Sequence, residues 1–399
     1  MTNQPNRNPN QKLRPASRVL NLPPYIFSEI DDRKNELKRR GIDLLNFGIG
    51  DPDLPTPDFV VEELCEQAHQ NHNQKYPSYN GSAAFRQAVC EYMQTRFAVK
   101  LNPETQASSV IGTKEGLAHF SWAYLEEGDL ALIPDPSFPV YANSARFAGA
   151  GVYLMPLLEQ NNFVPDVTVI PEEVAARSKV MFINYPNNPT GAVATRGQVQ
   201  KIIDWAVARD VIVVADAAYA ELVYDPADRF SALCLPGAEK VVIEYHSFSK
   251  TFNMTGWRLG FAVGNPSLVA GLVKLKTNID SGVFDAIQLA GIKALQQLPA
   301  CSDQLMQIYR QRRDALVQVL GKAGFDCFMP AGAFYLMVRC PPGVSSMQFT
   351  IDLMEKCGVI TTPGSGFGAC GEGYIRFALT RPVEVINRLA ERLPALQYR

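Results

Sequence analysis

Histidine is scarce in this 399-residue sequence: His69, His72, His119 and His246 are the only four, and no two have the spacing of a metal site, so no metal centre is expected. The eight cysteines are scattered, with no C-x-x-C pair and no dense framework, which favours reduced thiols over disulfides. Charge is nearly balanced at a formal net -2, and this lends no support to binding nucleic acid or a membrane surface. No uninterrupted apolar run approaches the roughly 20 residues of a membrane span. The polar, Asn/Gln-rich stretch from Met1 to Lys12 lacks the apolar segment of a signal peptide. Gly48-Ile49-Gly50 is not completed to a G-x-G-x-x-G dinucleotide fingerprint. There is no internal repeat and no low-complexity core. A soluble cytoplasmic enzyme fits these absences.

What is present is the composition of an ordinary globular protein, 47% hydrophobic and 20% charged, on a chain long enough for two domains that share a core. Residues 1 to about 14 read as a disordered arm, and residues 26–40 as a charged helix. Thr56-Pro57-Asp58 reads as a helix start with a capping hydroxyl, and Val60, Val61, Leu64, Cys65 and Ala68 as one face of the helix that follows. Between about 110 and 264, apolar runs alternate with helical patterns. Leu130-Ala131-Leu132-Ile133, Val180-Met181-Phe182-Ile183, Val211-Ile212-Val213-Val214-Ala215 and Val241-Val242-Ile243 read as buried strands. Val199, Ile202, Ile203 and Ala206 form a helix stripe capped by Thr195. This alternation predicts an α/β fold with a mainly parallel, doubly covered sheet. Beyond about 285 a long helical stretch and the strands Phe334–Val338 and Tyr374–Phe377 predict a smaller α+β domain. The expected division is 1–45 (arm and part of the small domain), 46–285 (large domain) and 286–399 (small domain).

In open α/β sheets ligands collect beyond the carboxyl ends of the strands, so the polar residues there matter most. Ile183 is followed by Asn184-Tyr185-Pro186-Asn187-Asn188-Pro189-Thr190-Gly191, a rigid turn carrying an amide. Ala215 is followed by Asp216-Ala217-Ala218-Tyr219, an acid and a phenol three residues apart. The Val241 strand leads to Tyr245-His246-Ser247-Phe248-Ser249-Lys250, a lysine in a small-residue loop where desolvation would lower its pKa and make it a nucleophile. Arg258, eight residues further on, is a fixed cation suited to phosphate. Ile111-Gly112-Thr113-Lys114-Glu115-Gly116 runs into a helix whose first amides suit a phosphate as well. A lysine for a Schiff base and an arginine for a phosphate together suggest pyridoxal 5′-phosphate.

At these residues the chain resembles the fold type I pyridoxal-phosphate aminotransferases of class I/II, from about residue 20 to the end. Asn188-Pro189-x-Gly191, Asp216-x-x-Tyr219, Ser247-x-Ser249-Lys250 and Arg258 fall in that family's order. By this resemblance Lys250 corresponds to the Schiff-base lysine that also carries a proton between Cα and C4′. Asp216 corresponds to the carboxylate paired with the pyridine nitrogen, and Tyr219 and Asn188 to the hydrogen-bond partners of the ring's phenolate oxygen. Phe138 resembles the ring that stacks on the cofactor. Thr113, Lys114, Ser247 and Arg258 resemble its phosphate cup. Tyr76 resembles the tyrosine that reaches the phosphate in the neighbouring subunit, which implies a homodimer with a shared site. Arg376 resembles the arginine that grips the substrate α-carboxylate, with Tyr25, Gly50 and Asn188 also at the substrate. The glycine-rich Pro363–Gly368 reads either as a flexible turn or as backbone that comes close to a substrate.

Within the family, Leu22–Phe27, Gly48–Pro57, Ile111–Gly116, Lys250–Arg258 and Thr361–Gly368 are most similar to LL-diaminopimelate aminotransferases. That likeness implies amino transfer between LL-2,6-diaminopimelate and 2-oxoglutarate, on the route to lysine and cell-wall precursors. Alanine and aspartate/glutamate aminotransferases share much of the same text, and a lyase or decarboxylase would use the same cofactor residues. One departure concerns Tyr76-Pro77-Ser78-Tyr79-Asn80-Gly81, where the family often has a glutamate at one of the two positions before the glycine.

Overall fold

The computed structural model describes residues 13–20, 22 and 27–396; the rest of the polar N-terminal arm and Tyr25 lie outside the described residues. The main sheet has seven strands: β1 Ala107–Val110, β2 Leu130–Asp135, β3 Gly151–Pro156, β4 Ser178–Asn184, β5 Ile212–Asp216, β6 Val242–Ser247 and β7 Gly260–Gly264. Their spatial order is β1-β7-β6-β5-β4-β2-β3. Strand β7 runs antiparallel to both neighbours, and every other pairing is parallel.

Period-two alternation sends successive side chains of the central strands into two separate covers. Ile133, Phe182, Val214 and Tyr245 pack on one face with Leu117 and Phe120 of the helix Thr113–Tyr124. Leu132, Met181, Ile183, Val213 and Val242 pack on the other with Ile202, Ile203 and Ala206 of the helix Arg196–Arg209. Thr195 caps that second helix in a full capping box with Gln198. Each large side chain buried this way contributes about 1.5–3 kcal/mol, so these strands form wherever the apolar run is continuous.

Three strands of this main sheet escaped the sequence reading, and each has a reason. Strand β1 reads Ala-Ser-Ser-Val and β7 reads Gly-Phe-Ala-Val-Gly, so neither shows an apolar run, though both are buried throughout. Strand β3 lies at the sheet edge and is mostly uncovered. Strand β6 also extends past its apolar stretch, because Glu244 and His246 are satisfied inside the protein. The Glu244 carboxylate accepts from Ser231 Oγ (2.7 Å) and Ala232 N (2.8 Å) and pairs with His246 Nε2 (2.7 Å). Strand β1 runs directly into the segment Ile111–Gly116, which thus follows a strand of the sheet.

The smaller sheet is antiparallel: β8 Cys327–Phe328, β9 Tyr335–Arg339, β10 Thr362–Pro363 and β11 Tyr374–Ala378, in the order β10-β11-β9-β8. One core cluster packs the segment that follows β5 against the smaller sheet, with Phe47, Tyr219, Leu222, Tyr309, Phe334, Leu336 and Phe377 among its members. The N-terminal segment meets the smaller unit through parallel pairing of Leu45–Asn46 with Val359–Ile360. Helix Asp285–Gln296 buries Ala290 and Ala294 with Phe85, Val89 and Phe248, on the side of the larger sheet. At the helix Asp58–Ala68 the expected hydroxyl cap is absent: Thr56 Oγ1 instead donates to the carbonyl of Asn253 (3.0 Å), and Val61 and Cys65 face outward.

Candidate active site

The carboxyl ends of β4, β5 and β6 lie in register, with Asn184 paired to Asp216 and Asp216 to Tyr245. Strand β7 runs the other way, so its amino end, with Arg258 just before it, returns to this same edge. Strand β1 delivers Gly112 and Thr113 there too. Side chains from five strand ends and the smaller sheet meet at this edge.

Lys250 sits on a one-turn helix, Phe248–Thr251, instead of the expected loop. The Ser247 hydroxyl caps that turn by accepting from Ser249 N (3.2 Å). Lys250 Nζ donates to the Gly50 carbonyl (3.1 Å) and lies 5.7 Å from the Phe334 ring centre. Burial, helped by the nearby Arg376 and Arg258 cations, brings its pKa down to about 8. A lowered pKa enlarges the neutral-amine fraction near neutral pH, which a nucleophile or base requires.

Asp216, at the end of β5, is held at both carboxylate oxygens. Oδ2 accepts from Tyr141 Oη (2.7 Å) and Oδ1 from Ala218 N (3.2 Å), while its own carbonyl accepts from Asn184 Nδ2 (2.7 Å). Burial raises its pKa, opposed by those two donors. Tyr219 is buried, and its hydroxyl shares a hydrogen bond with Tyr335 Oη (2.9 Å). Arg376 lies between the rings of Tyr335 (4.3 Å) and Phe367 (4.6 Å). Its Nη1 donates to Asn188 Oδ1 (2.8 Å) and its Nη2 to the Gly48 carbonyl (2.9 Å), which leaves a buried Nε–H with no hydrogen-bond partner among the described residues.

The three carbonyls of the loop Gly48–Gly50 are fixed by four side chains. Thr362 Oγ1 and Arg376 bond the carbonyl of Gly48, Thr380 Oγ1 that of Ile49 (3.0 Å), and Lys250 that of Gly50. A Cβ on Gly50 would lie 2.3 Å from Tyr335 Oη, so only glycine fits beside that phenol.

The expected phosphate residues surround one turn. Gly112 has φ +76° and its α-carbon lies against Arg258, where a Cβ would be 2.2 Å from Nη2. Thr113 opens the helix behind it, and the Lys114 ammonium lies 5.9 Å from the Phe138 ring centre. Phe138 meets Tyr141 edge-on (5.9 Å, 87°). A buried carboxylate with both oxygens oriented, a desolvated amine, and a glycine turn backed by an arginine are the features a pyridine ring bearing an aldehyde and a phosphate requires, so the residues fit that group.

Tyr76 stands apart, with 89% of its surface exposed in the single chain. Tyr25 lies outside the described residues. The glycines of Pro363–Gly368 allow chain to meet chain: a Cβ on Gly364 would lie 2.0 Å from the Gly371 carbonyl, and one on Gly368 would lie 1.8 Å from Asp135 Oδ1. Tyr141, Tyr335 and Phe367 were not legible as site residues, because their relevance comes only from packing.

Beside the helix Thr113–Tyr124 lies a second ionic cluster. Fully buried Lys276 donates to Glu115 Oε1 (3.2 Å) and Asp280 Oδ2 (2.9 Å), and His119 contacts Glu115. Glu115, His119 and Asp280 bring their ligand atoms within 4.8 Å of one another, and Lys276 is the cation among them.

The family model for aminotransferase class I and II matches residues 42–393. The chain is 49% identical to the LL-diaminopimelate aminotransferase of Syntrophobacter fumaroxidans, over 96% of this chain and 99% of that protein. It is 46% identical to the one from Aquifex aeolicus, over 96% and 99%. Among solved structures, substrate-bound BacF from Bacillus subtilis superposes with a TM-score of 0.91 at 33% identity, covering 95% of this chain and 96% of that one.

Proposed function

We propose, on the premise that the chain belongs to the class I and II aminotransferase family, that it is an LL-diaminopimelate aminotransferase working with 2-oxoglutarate. The observation that carries the substrate is the near-full-length identity of 45–49% to several proteins of that name. As in that family, the cofactor is pyridoxal 5′-phosphate. When bound, it supplies an aldehyde that takes up the amino group and a ring that accepts the electrons released when Cα loses its proton.

The chain's own residues divide the remaining work. Gly112, Thr113, Lys114, Ser247 and Arg258 hold the phosphate, and Phe138 covers one ring face. Asp216 keeps the ring nitrogen protonated, a task its burial suits because an isolated buried carboxylate gains most from a facing cation. Tyr219 and Asn188 hydrogen-bond the ring oxygen. Lys250, once its amine is free, takes the proton from Cα and returns it one bond further on. Arg376 binds the α-carboxylate through its unpartnered Nε–H and the remaining Nη hydrogens.

Exchanging Arg376 for lysine is expected to remove the fork and the stacking between Tyr335 and Phe367. KM for the amino acid should rise about 10- to 100-fold while kcat changes less. Steady-state kinetics with varied donor decide this, and an unchanged KM removes Arg376 from carboxylate binding.

The exposed Tyr76 supports a homodimer in which this phenol reaches the partner's phosphate site. The cysteines, all unpaired, suit a reducing cytoplasm. Substrate identity is tested by the absorbance near 400 nm of the loaded enzyme, with donor and no acceptor. LL-diaminopimelate is expected to bleach it far faster than L-alanine or L-aspartate; faster bleaching by either of these would reassign the donor.

A further inference from the structure

We propose that Tyr141 is a positioning residue for Asp216, its phenol holding the carboxylate so that the free side of that group faces the cofactor's ring nitrogen. The inference rests on the reading of Asp216 given above.

Tyr141 lies on the helix Val140–Phe147 and is completely buried. An ionised carboxylate has no proton to give, so in the 2.7 Å contact with Asp216 Oδ2 the phenol is the donor. Ala218 N–H occupies the other oxygen, and each oxygen keeps a lone pair for one further partner. The phenol has little freedom to point elsewhere. Its ring stacks on Phe182 of β4 (5.0 Å, 17°) and meets Phe138 edge-on. Its helix is pinned to the helix that begins at Thr113 by the Ser144–Ser121 hydroxyl pair (2.8 Å). One side chain thus touches the acid expected at the ring nitrogen and the aromatic residue expected on the ring face.

The electrostatic effect has a definite sign. Burial raises the pKa of Asp216 and so favours its protonated form, which could not keep a facing nitrogen charged. A hydrogen bond donated to the anion favours the anion. The other titratable groups facing Asp216 are His246, Tyr219 and Tyr245. Of these, only His246 can add positive charge, and its ring is engaged by Glu244 and stacked on Phe261.

The test compares apoenzymes of the parent and of Tyr141→Phe, which keeps the stacked ring and removes only the hydroxyl. Dissociation constants are measured for pyridoxal 5′-phosphate and for its 1-deaza analogue, which has carbon in place of the ring nitrogen. The parent is expected to prefer the natural cofactor. Tyr141→Phe should lose about 10- to 100-fold affinity for the natural cofactor, the magnitude of one charge-assisted hydrogen bond, and less than about threefold for the analogue. In an Asp216→Ala background the second substitution should add nothing. Equal losses for both cofactors would show that the hydroxyl serves packing alone and overturn the proposal. A parent that binds both equally well would instead remove Asp216 from the ring nitrogen, and the proposal with it.

Discussion

Lys250→Ala is expected to lower the rate of transamination by a factor of about 10³ to 10⁴, while the protein stays folded and still binds pyridoxal phosphate noncovalently. A positioned general base alone is worth about 10²–10⁴-fold, and in the proposed mechanism this lysine also holds and exchanges the aldehyde. The observation behind the expectation is the desolvated amine, with a pKa of about 8 and a hydrogen bond to the Gly50 carbonyl. The same burial gives a second, opposite effect on stability. A folded-state pKa below the unfolded value means that the unfolded chain binds more protons between about pH 8 and 10.5. The apoenzyme should therefore gain stability from this group as pH rises through that window, and bear its full cost below it. That cost is about 3 kcal/mol at pH 7. Lys250→Met, which keeps the volume and removes the charge, should unfold at higher urea concentration than the parent at pH 7, and the difference should shrink towards pH 10. Two superimposable stability–pH curves would show that the amine is not desolvated in solution, and near-parental turnover by Lys250→Ala would end the mechanism.

Lys276→Met should destabilise the apoenzyme by about 3–5 kcal/mol, the range for removing one partner from a buried ionic cluster. Lys276 is the buried cation between Glu115 and Asp280, and without it two carboxylates and a histidine face one another with one positive charge fewer. The loss also reaches the expected phosphate site. Glu115 Oε2 accepts from Ile111 N (2.6 Å), so the same side chain that Lys276 holds also pins the turn leading into Gly112. On the far side, Asp280 Oδ1 accepts from Gly282 N (2.8 Å), and Gly282 is packed so tightly on Ser78 that a Cβ would lie 2.7 Å from its carbonyl. Cofactor affinity is therefore expected to fall together with stability. Adding Glu115→Gln to Lys276→Met should recover part of the stability, because glutamine keeps an acceptor for Ile111 N and removes a charge. Urea unfolding decides the matter; a change below about 1 kcal/mol for Lys276→Met would mean that the cluster is solvated and contributes little.

The sheet was legible in the sequence wherever burial on both faces demanded an unbroken apolar run, as in β2, β4 and β5. It was not legible where a strand is built from serines and glycines, as in β1 and β7, or where polar groups satisfy one another internally, as Glu244 and His246 do in β6. The residues proposed for the site stood out in the sequence where their chemistry is unusual near a strand end, at Lys250, Asp216, Tyr219 and Asn188, and the fold gathers them at one edge. Tyr141 was invisible because its partner Asp216 lies 75 residues away, and nothing local marks a phenol on a helix as anything but core. Tyr335 was hidden in the same way, inside a strand, 116 residues from Tyr219. The expected cap at Thr56 failed because a hydroxyl bonds whichever acceptor the tertiary structure brings, and here that is Asn253.

The reversed polarity of β7 has a consequence for the spacing of residues along the chain. Had β7 run parallel to β6, it would have begun at the opposite ends of the strands, away from Lys250. Because it runs antiparallel, the polypeptide leaves β6, makes the turn that carries Lys250, and re-enters beside it with Arg258 at the same edge. The interval of eight residues between amine and guanidinium is thus a record of strand direction. Thr56 and Asn253 clasp this excursion from outside through two hydrogen bonds, Thr56 Oγ1 to the Asn253 carbonyl and Asn253 Nδ2 to the Pro55 carbonyl (3.2 Å). A chain cut open between Lys250 and Arg258 and rejoined at its ends would keep every strand, yet lose the short tether that makes the two cations one unit.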